Sequence, residues 1–202
     1  MGREDKRERI LQGAEDLFLS RRYDRVTLDE VCRKAGVGKG TIYRYFKGKE
    51  DLFAQTILHG LDELRSAIKA KASGPGGTDE KLYAAARVLR RFHRRRHALF
   101  QSGQAGDFRR MFHGRGLHTQ CHKRRDALVE IVAGVLRSGA DAGAYRKDLP
   151  AEVGAHMFLG MVRSTMWAEG GEGARPVSMK RLVDVFLEGF RFSGAVSSRE
   201  MR

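Results

Sequence analysis

No stretch of the 202-residue chain approaches the ~20 apolar residues that a membrane-spanning helix requires. Its cysteines number two, Cys32 and Cys121, far apart in sequence. That excludes a disulfide framework and fits a reducing, cytoplasmic setting. The opening residues, MGREDKRERI, are charged, so no secretory signal is expected there. Lys6 stands where N-myristoylation would need Ser or Thr. No segment alternates polar and apolar residues with the period of a strand, and no internal repeat is found. A nucleophile elbow, an HExxH pair and a paired-carboxylate motif are all missing, so the chain is read as neither an enzyme nor a cofactor carrier.

One apparent phosphate loop also fails. GVGKGT lacks the GxxxxGK[ST] spacing, because Arg33 holds the first glycine position and Gly40 follows Lys39. A dinucleotide GxGxxG fails too, since Thr41 stands at its third glycine.

What the chain has in excess is positive charge, a formal +14. That points to a polyanionic partner. Residues 1–50 hold 13 Lys or Arg and 9 Asp or Glu, so residues 51–202 carry +10 of the total. Charge alone therefore does not single out the N-terminal segment; its residue pattern does.

Thr27 to Asp51, TLDEVCRKAGVGKGTIYRYFKGKED, reads as two short helices across a glycine turn, followed by a third. Thr27 and Glu30 have the Thr-x-x-Glu spacing of a capping box. Leu28, Val31, Cys32 and Ala35 share a helical face, and Gly36 stands where positive φ would end that helix. Val37 is the expected apolar plug under the turn, and Gly38 permits close backbone approach. From Lys39 to Tyr45 a second short helix would bury Ile42 and turn Lys39, Thr41, Tyr43 and Arg44 outward, with Phe46 returning to the core. Upstream, Ile10, Leu11, Ala14, Leu17 and Phe18 mark an amphipathic helix able to brace the pair, with Tyr23 and Val26 over the loop between. This is a helix-turn-helix, whose second helix can lie in a DNA major groove.

From Arg9 to Phe53 the chain resembles the DNA-binding domain of the TetR/AcrR family of bacterial one-component repressors. The resemblance rests on Ile10, Ala14, Leu17, Phe18, Tyr23, Thr27, Val31, Ala35, Gly36, Val37, Thr41, Tyr43, Tyr45, Phe46, Lys49, Glu50 and Leu52. It covers roughly the first quarter of the chain. Three positions depart from the family's usual pattern: Arg22 where Gly is usual, Gly38 where Ser or a similar cap is usual, and Gly48 where Ser or Asn is usual. An absent cap at Gly38 costs about 0.5–1 kcal/mol or less.

The remainder reads as helical. Phe53, Ile57, Leu61, Leu64 and Ile68 phase a helix over Glu50–Lys71, and Ser73 to Gly77 is a loop. Thr78 is placed to cap the next helix, which carries Leu82, Ala85, Leu89 and Phe92. A further helix is expected from about His97 to Phe112, weakened by Gly103 and Gly106. Another carries Leu128, Ile131, Val132, Val135 and Leu136 and is expected to end at Gly139, with a loop over Asp141–Lys147. Pro150 opens a helix reaching about Ala168, apolar on several faces through Val153, Met157, Phe158, Leu159, Met161, Val162, Met166 and Trp167. After a loop from Gly170 to Pro176, a last helix carries Met179, Leu182, Phe186, Gly189 and Phe190. The expectation is an all-α chain of about nine helices: a helix-turn-helix domain over 1–50 and a larger helical ligand-binding and dimerisation domain over 51–202. So much apolar surface on the last two helices calls for a symmetric homodimer pairing them as a four-helix bundle. The resemblance implies the same; the alternative is that both pack wholly within one subunit.

For DNA, Lys39 and Arg44 are the candidates for base edges, as donors to guanine O6 or N7. Thr27, Thr41, Tyr43, Tyr45 and Lys49 are candidates for phosphate contact. Lys47 reads equally as a phosphate contact or a solvated charge, and Asp29 better as a solvated helix-start carboxylate than as an acceptor from cytosine. The resemblance further implies an effector pocket in the body between the fifth and eighth helices, where Phe92, Phe100, Phe108, Met111, Phe112, His113, Met161 and Trp167 are candidate lining; each taken alone reads as ordinary core. The basic run RVLRRFHRRRH, Arg87 to His97, is a solvated helix face or a trap for an anionic effector. His113, His118, Cys121 and His122 form the one metal-like cluster, but without a carboxylate no metal site is assigned.

These readings describe a cytoplasmic, dimeric transcriptional regulator, in the repressor mode, that binds a palindromic DNA operator and is released by a small-molecule effector, with no membrane partner. The rival readings are a nonspecific basic nucleic-acid binder and a small helical enzyme or ligand-binding protein with a vestigial head.

Overall fold

The computed structural model describes residues 3–102, 116–169 and 177–191. Among them every regular element is helical. The order is α1 (Arg3–Ser20), a 3-10 turn (Tyr23–Arg25), α2 (Leu28–Ala35), α3 (Lys39–Tyr45), α4 (Lys49–Ala72), α5 (Thr78–Ser102), α6 (Leu117–Asp141), α7 (Ala151–Glu169) and α8 (Met179–Phe190). The lone β feature is a bridge between Tyr145 and Arg191. No described helix is long and apolar enough to cross a membrane.

Three boundaries differ from the sequence expectation. Residues 97–102 do not begin a new helix but extend α5, because no breaker stands between Leu82 and Gly103 and arginine is a good helix former. The rest of the segment expected up to Phe112 lies outside the described residues. Thr78 is the first helical residue of α5 rather than its cap; the Glu80 carboxylate accepts from the Gly77 N–H instead, at 3.0 Å. Gly139 does not end α6, which runs on to Asp141. A side chain at Gly139 would collide with the Tyr145 ring, so this glycine makes room for packing rather than terminating the helix.

The chain divides into two compact units, Met1–Arg65 with Phe92–Arg125, and Ser66–Arg91 with Asp126–Arg202. The first is built on one continuous core. Ile10, Leu11, Ala14, Leu17 and Phe18 of α1 meet Val31, Cys32 and Ala35 of α2, Ile42 of α3, and Leu52, Phe53 and Ile57 of α4. At its centre Phe18 and Phe53 pack edge to face with centroids 4.8 Å apart, and the Tyr23 ring stands 5.0 Å from Phe53.

This unit also buries charge. Glu15 of α1 and Arg96 of α5 are only 4 % and 7 % exposed. Arg96 Nη2 lies 2.7 Å from Glu15 Oε1 and 3.0 Å from Glu63 Oε2, and its guanidinium rides over the Phe92 ring at 4.3 Å. Gly60 of α4 makes the space, since a Cβ there would stand 2.6 Å from the guanidinium. Arg95 adds a looser contact to Asp16, 3.6 Å away. The basic run is thus neither wholly solvated nor wholly available for an effector. Arg87, Arg91 and Arg94 are exposed, while Arg95 and Arg96 tie α5 to α1.

In the second unit the buried faces of α7 (Ala155, Phe158, Val162) and α8 (Val183, Phe186, Leu187, Phe190) are apolar, with Phe158 and Phe186 edge to face at 5.3 Å. Tyr145 is almost wholly buried and donates to Asp79, which Arg191 also contacts at 3.1 Å. Burial, reinforced by Asp79, pushes the Tyr145 phenol well above its ordinary range. Tyr83 donates to Asp184 and is pushed up to about 12 by that carboxylate.

Removing one member of a buried ion pair strands the other, at a cost of about 3–5 kcal/mol, whereas apolar replacement of both is near neutral. Arg96→Met is therefore expected to lower the unfolding free energy by about that amount, and Glu15→Leu combined with Arg96→Met to recover most of it. Denaturant midpoints of the two variants check this.

Candidate nucleic-acid interface

The helix-turn-helix is assembled by local chemistry on an apolar base. At the start of α2, Thr27 Oγ1 accepts from the Glu30 N–H at 3.3 Å, and Glu30 Oε2 accepts from the Thr27 N–H at 2.9 Å, completing the capping box. The Thr27 N–H and hydroxyl hold the Glu30 carboxyl below its usual range, helped by Arg21 at 2.7 Å. Gly36 ends α2 at φ 63°, ψ 41°, a left-handed conformation that a residue with a Cβ resists, and Val37 N–H returns to the Cys32 carbonyl at 3.0 Å. The turn is thereby closed, and Val37 packs on the core beneath it.

α3 spans seven residues, with uncapped Gly38 before it. Ile42 is fully buried and Phe46, just past its end, is 1 % exposed. These two residues anchor the helix, and the rest of α3 faces outward or lies half-buried. Lys39, Tyr43 and Arg44 are exposed, while Thr41 and Tyr45 are half-buried. Tyr43 is the large apolar side chain of this segment most open to solvent, at 54 %.

The candidate DNA residues Thr27 and Lys49 flank α3 in sequence, at the starts of α2 and α4. Thr27 caps α2 with its hydroxyl also donating to Glu30 at 3.0 Å. Arg44 lies over the Tyr45 ring at 5.6 Å. Lys49, first residue of α4, donates to the Asp24 carbonyl at 3.3 Å and stands over the Tyr23 ring at 4.4 Å. Its partial burial there lowers the ammonium pKa. Beside it, Tyr23 and residues 47–51 line an open depression, and the Lys47 N–H donates to Asp51 at 2.8 Å.

Two acidic partners escape a reading by composition. Asp29 is not merely a solvated helix-start charge: its carboxylate meets Lys39 Nζ at 2.9 Å. That contact raises the Lys39 ammonium pKa. Asp24, in the 3-10 turn, pairs with Arg22 at 3.2 Å. The Asp29–Lys39 pair crosses from α2 to α3, so no periodicity along one helix signals it.

The effector candidates are scattered in what can be said of them. Phe92 is half-buried beneath Arg96, and Met161 is half-buried on α7. Phe100 and Trp167 belong to α5 and α7, but their side chains are outside the described residues, as are Phe108, Met111, Phe112 and His113 altogether. His118 and His122, one turn apart on α6, bring their Nε2 atoms to 2.9 Å. Among the described residues no group of three or more His, Cys, Asp or Glu side chains is arranged to hold a metal.

Residues 10–56 match the family described as bacterial regulatory proteins, tetR family. Over these residues the chain carries the DNA-binding motif of that family. It is 41% identical over 61 residues to the HTH-type transcriptional regulator YhgD of Bacillus subtilis (strain 168), covering 30% of this chain and 32% of that protein. With the fatty acid metabolism regulator protein of the same organism it shares 26% identity over 174 residues, 78% of this chain and 79% of that one. Its fold is that of the transcriptional regulator FadR from Bacillus subtilis, solved in complex with stearoyl-CoA, at a TM-score of 0.65 and 19% identity over 90% of this chain and 95% of that chain. Residues 10–56 are accordingly a tetR-family DNA-binding helix-turn-helix, and the chain has the fold of the solved regulator it resembles.

Because Ile42 is the one fully buried anchor within α3, Ile42→Ala is expected to cost about 2–5 kcal/mol by cavity formation and to loosen α3 ahead of the rest of the unit. Hydrogen exchange of residues 39–45, compared with that of α1, checks this.

Proposed function

We propose that the chain is a ligand-responsive repressor in which residues 1–50 read a palindromic operator and residues 51–202 bind an effector and dimerise. The observation that carries the DNA reading is the outward face of α3, with Lys39, Tyr43 and Arg44 exposed above an Ile42 anchor that fixes the helix. Lys39 and Arg44 reach base edges, as donors to guanine. Thr27, Thr41, Tyr43, Tyr45 and Lys49 contact phosphates, which fixes register. The depression between Tyr23 and Lys49 supports a backbone path beside α3.

A homodimer is supported by where the exposed apolar side chains lie. Among the described residues, the large exposed ones besides Tyr43 are Val153 and Met157 of α7 and Val185 of α8, at 42 %, 53 % and 57 %. Val153 and Met157 are one turn apart and form one stripe. A twofold pairing of these faces would cover them and set two α3 helices about 34 Å apart, or a multiple, for the half-sites of a palindrome.

The effector we propose is a fatty acyl thioester of coenzyme A. This is supported by the likeness along most of the chain to a fatty acid metabolism regulator, by the stearoyl-CoA bound to a protein of the same fold, and by the +10 charge of residues 51–202, complementary to coenzyme A phosphates. Phe92, Phe100, Phe108, Phe112, His113, Met161 and Trp167 are the proposed lining. The effector lowers DNA affinity by binding more tightly to the state that does not fit the operator.

Binding of the purified protein to DNA upstream of its own gene, against scrambled DNA of equal length across a salt series, tests the first part. Selective binding that survives moderate salt and weakens on addition of stearoyl-CoA is expected. Binding that ignores sequence and vanishes with salt would leave a nonspecific nucleic-acid binder. The dimer has its own test: Met157→Asp with Val185→Asp is expected to give a folded monomer by analytical ultracentrifugation and to abolish operator-length selectivity.

A further inference from the structure

The contact between α2 and α3 assigns a role to a residue that does not belong to the expected DNA-contacting set. We infer that Asp29 is a specificity-determining positioning residue: it holds the Lys39 ammonium in place so that Lys39 discriminates one base pair in each half-site. The inference rests on the operator-reading function proposed above.

The geometry is a two-point clamp. Lys39 Nζ stands 2.9 Å from Asp29 Oδ1 and 3.3 Å from Oδ2, so both carboxylate oxygens face the one ammonium. An ammonium has three N–H donors, and a carboxylate lying against one side leaves the other side available. Both residues are well exposed, at 59% for the Lys39 side chain and 63% for that of Asp29, so the pair is open to a third partner rather than sealed in the core. Asp29 itself is fixed. It sits in the first turn of α2, within the span of the Thr27–Glu30 capping box, on the helix that packs on α1 through Val31, Cys32 and Ala35. Lys39 is less constrained by its own backbone: it is the first residue of α3, between Gly38 and Gly40, with no side-chain cap before it.

The energetics decide what this clamp can do. An exposed ion pair adds roughly 0–1 kcal/mol to folding stability, so stability is a poor reason for it. A free lysine has four rotatable side-chain bonds and acts as a point charge, which suits a phosphate at almost any approach but distinguishes bases weakly. Pairing with Asp29 in advance biases the ammonium toward one position before DNA arrives. The same carboxylate places negative charge at the interface, which lowers attraction to phosphates in general. Both effects favour a Lys39 that responds to base identity over one that grips any backbone.

The test uses the full-length protein, a duplex that the wild type selects from a randomised library, and the set of its single base-pair variants. Asp29→Asn keeps the shape and removes the clamp. Discrimination at one base pair of each half-site is expected to fall about tenfold, with the other positions unchanged. In a Lys39→Ala background the same change is expected to cause no further loss at that base pair, because the residue through which Asp29 acts is gone. A uniform change across all positions, or an equal loss in the Lys39→Ala background, would overturn the inference while leaving the operator reading intact. A wild-type protein that selects no sequence from the library would remove the operator reading, and this role for Asp29 with it.

Discussion

A seven-residue helix does not persist alone in water, since the cost of nucleating a helix is recovered only over a longer run. α3, from Lys39 to Tyr45, has Gly40 within it and uncapped Gly38 before it, so its own propensity works against it. What holds it is the burial of Ile42 and Phe46 in a core made by α1, α2 and α4. The rest of the DNA-binding unit can be understood as the support for those two contacts. The left-handed Gly36 sets the angle of approach, Val37 fills the space under the turn, and the Phe18–Tyr23–Phe53 group packs in the core beneath. A recognition surface resting on so few anchors has its side chains free to vary in identity while its path through space stays fixed.

The same unit contains a second, costlier constraint. Glu15 and Arg96 are withdrawn from water together, and Glu15 Oε1 accepts no well-directed hydrogen bond despite lying 2.7 Å from Arg96 Nη2. An apolar pair would fill that space at lower cost. What the charges add is selectivity of docking: Arg96 meets both Glu15 of α1 and Glu63 of α4, and only where Gly60 leaves room for the guanidinium. A slip of α5 along its axis by one residue would strand both charges, so the register of the helices is specified more sharply than by apolar packing.

The N-terminal motif was legible in the sequence because its determinants are local. The Thr27–Glu30 box, Gly36 and the 3-4 spacing of Ile10 to Phe18 each act within a few residues, and each has its expected conformation or burial. What escaped the sequence acts between helices. Arg95 and Arg96 look like any other arginines of a basic run until α1 and α4 bring Glu15, Asp16 and Glu63 to them. Asp29 looks like a helix-start carboxylate until the turn brings Lys39 across. Gly139 looks like a helix terminator, yet the Tyr145 ring occupies the space its missing side chain leaves. The proposed effector lining was the least legible part, because aromatic and methionine residues at helical spacing are the composition of any core.

Net charge is a poor guide to the segment proposed to meet DNA, and the disposition of the charges shows why. The excess of +10 lies outside residues 1–50, while within that segment several cations already have protein partners: Arg21 on Glu30, Arg22 on Asp24, Lys34 on Asp16 and Lys39 on Asp29. Each exposed pair is worth little to stability, but together they cancel much of the long-range attraction that an unpaired basic surface would exert on any duplex. Under the proposed operator reading, a head with its cations paired in this way depends less on the phosphate backbone and more on the fit of a rigid helix to base edges. For the operator-reading regulator proposed here, which would have to leave random sequence and stay on one site, a weak general attraction combined with a firmly seated α3 is the more useful division of the binding energy.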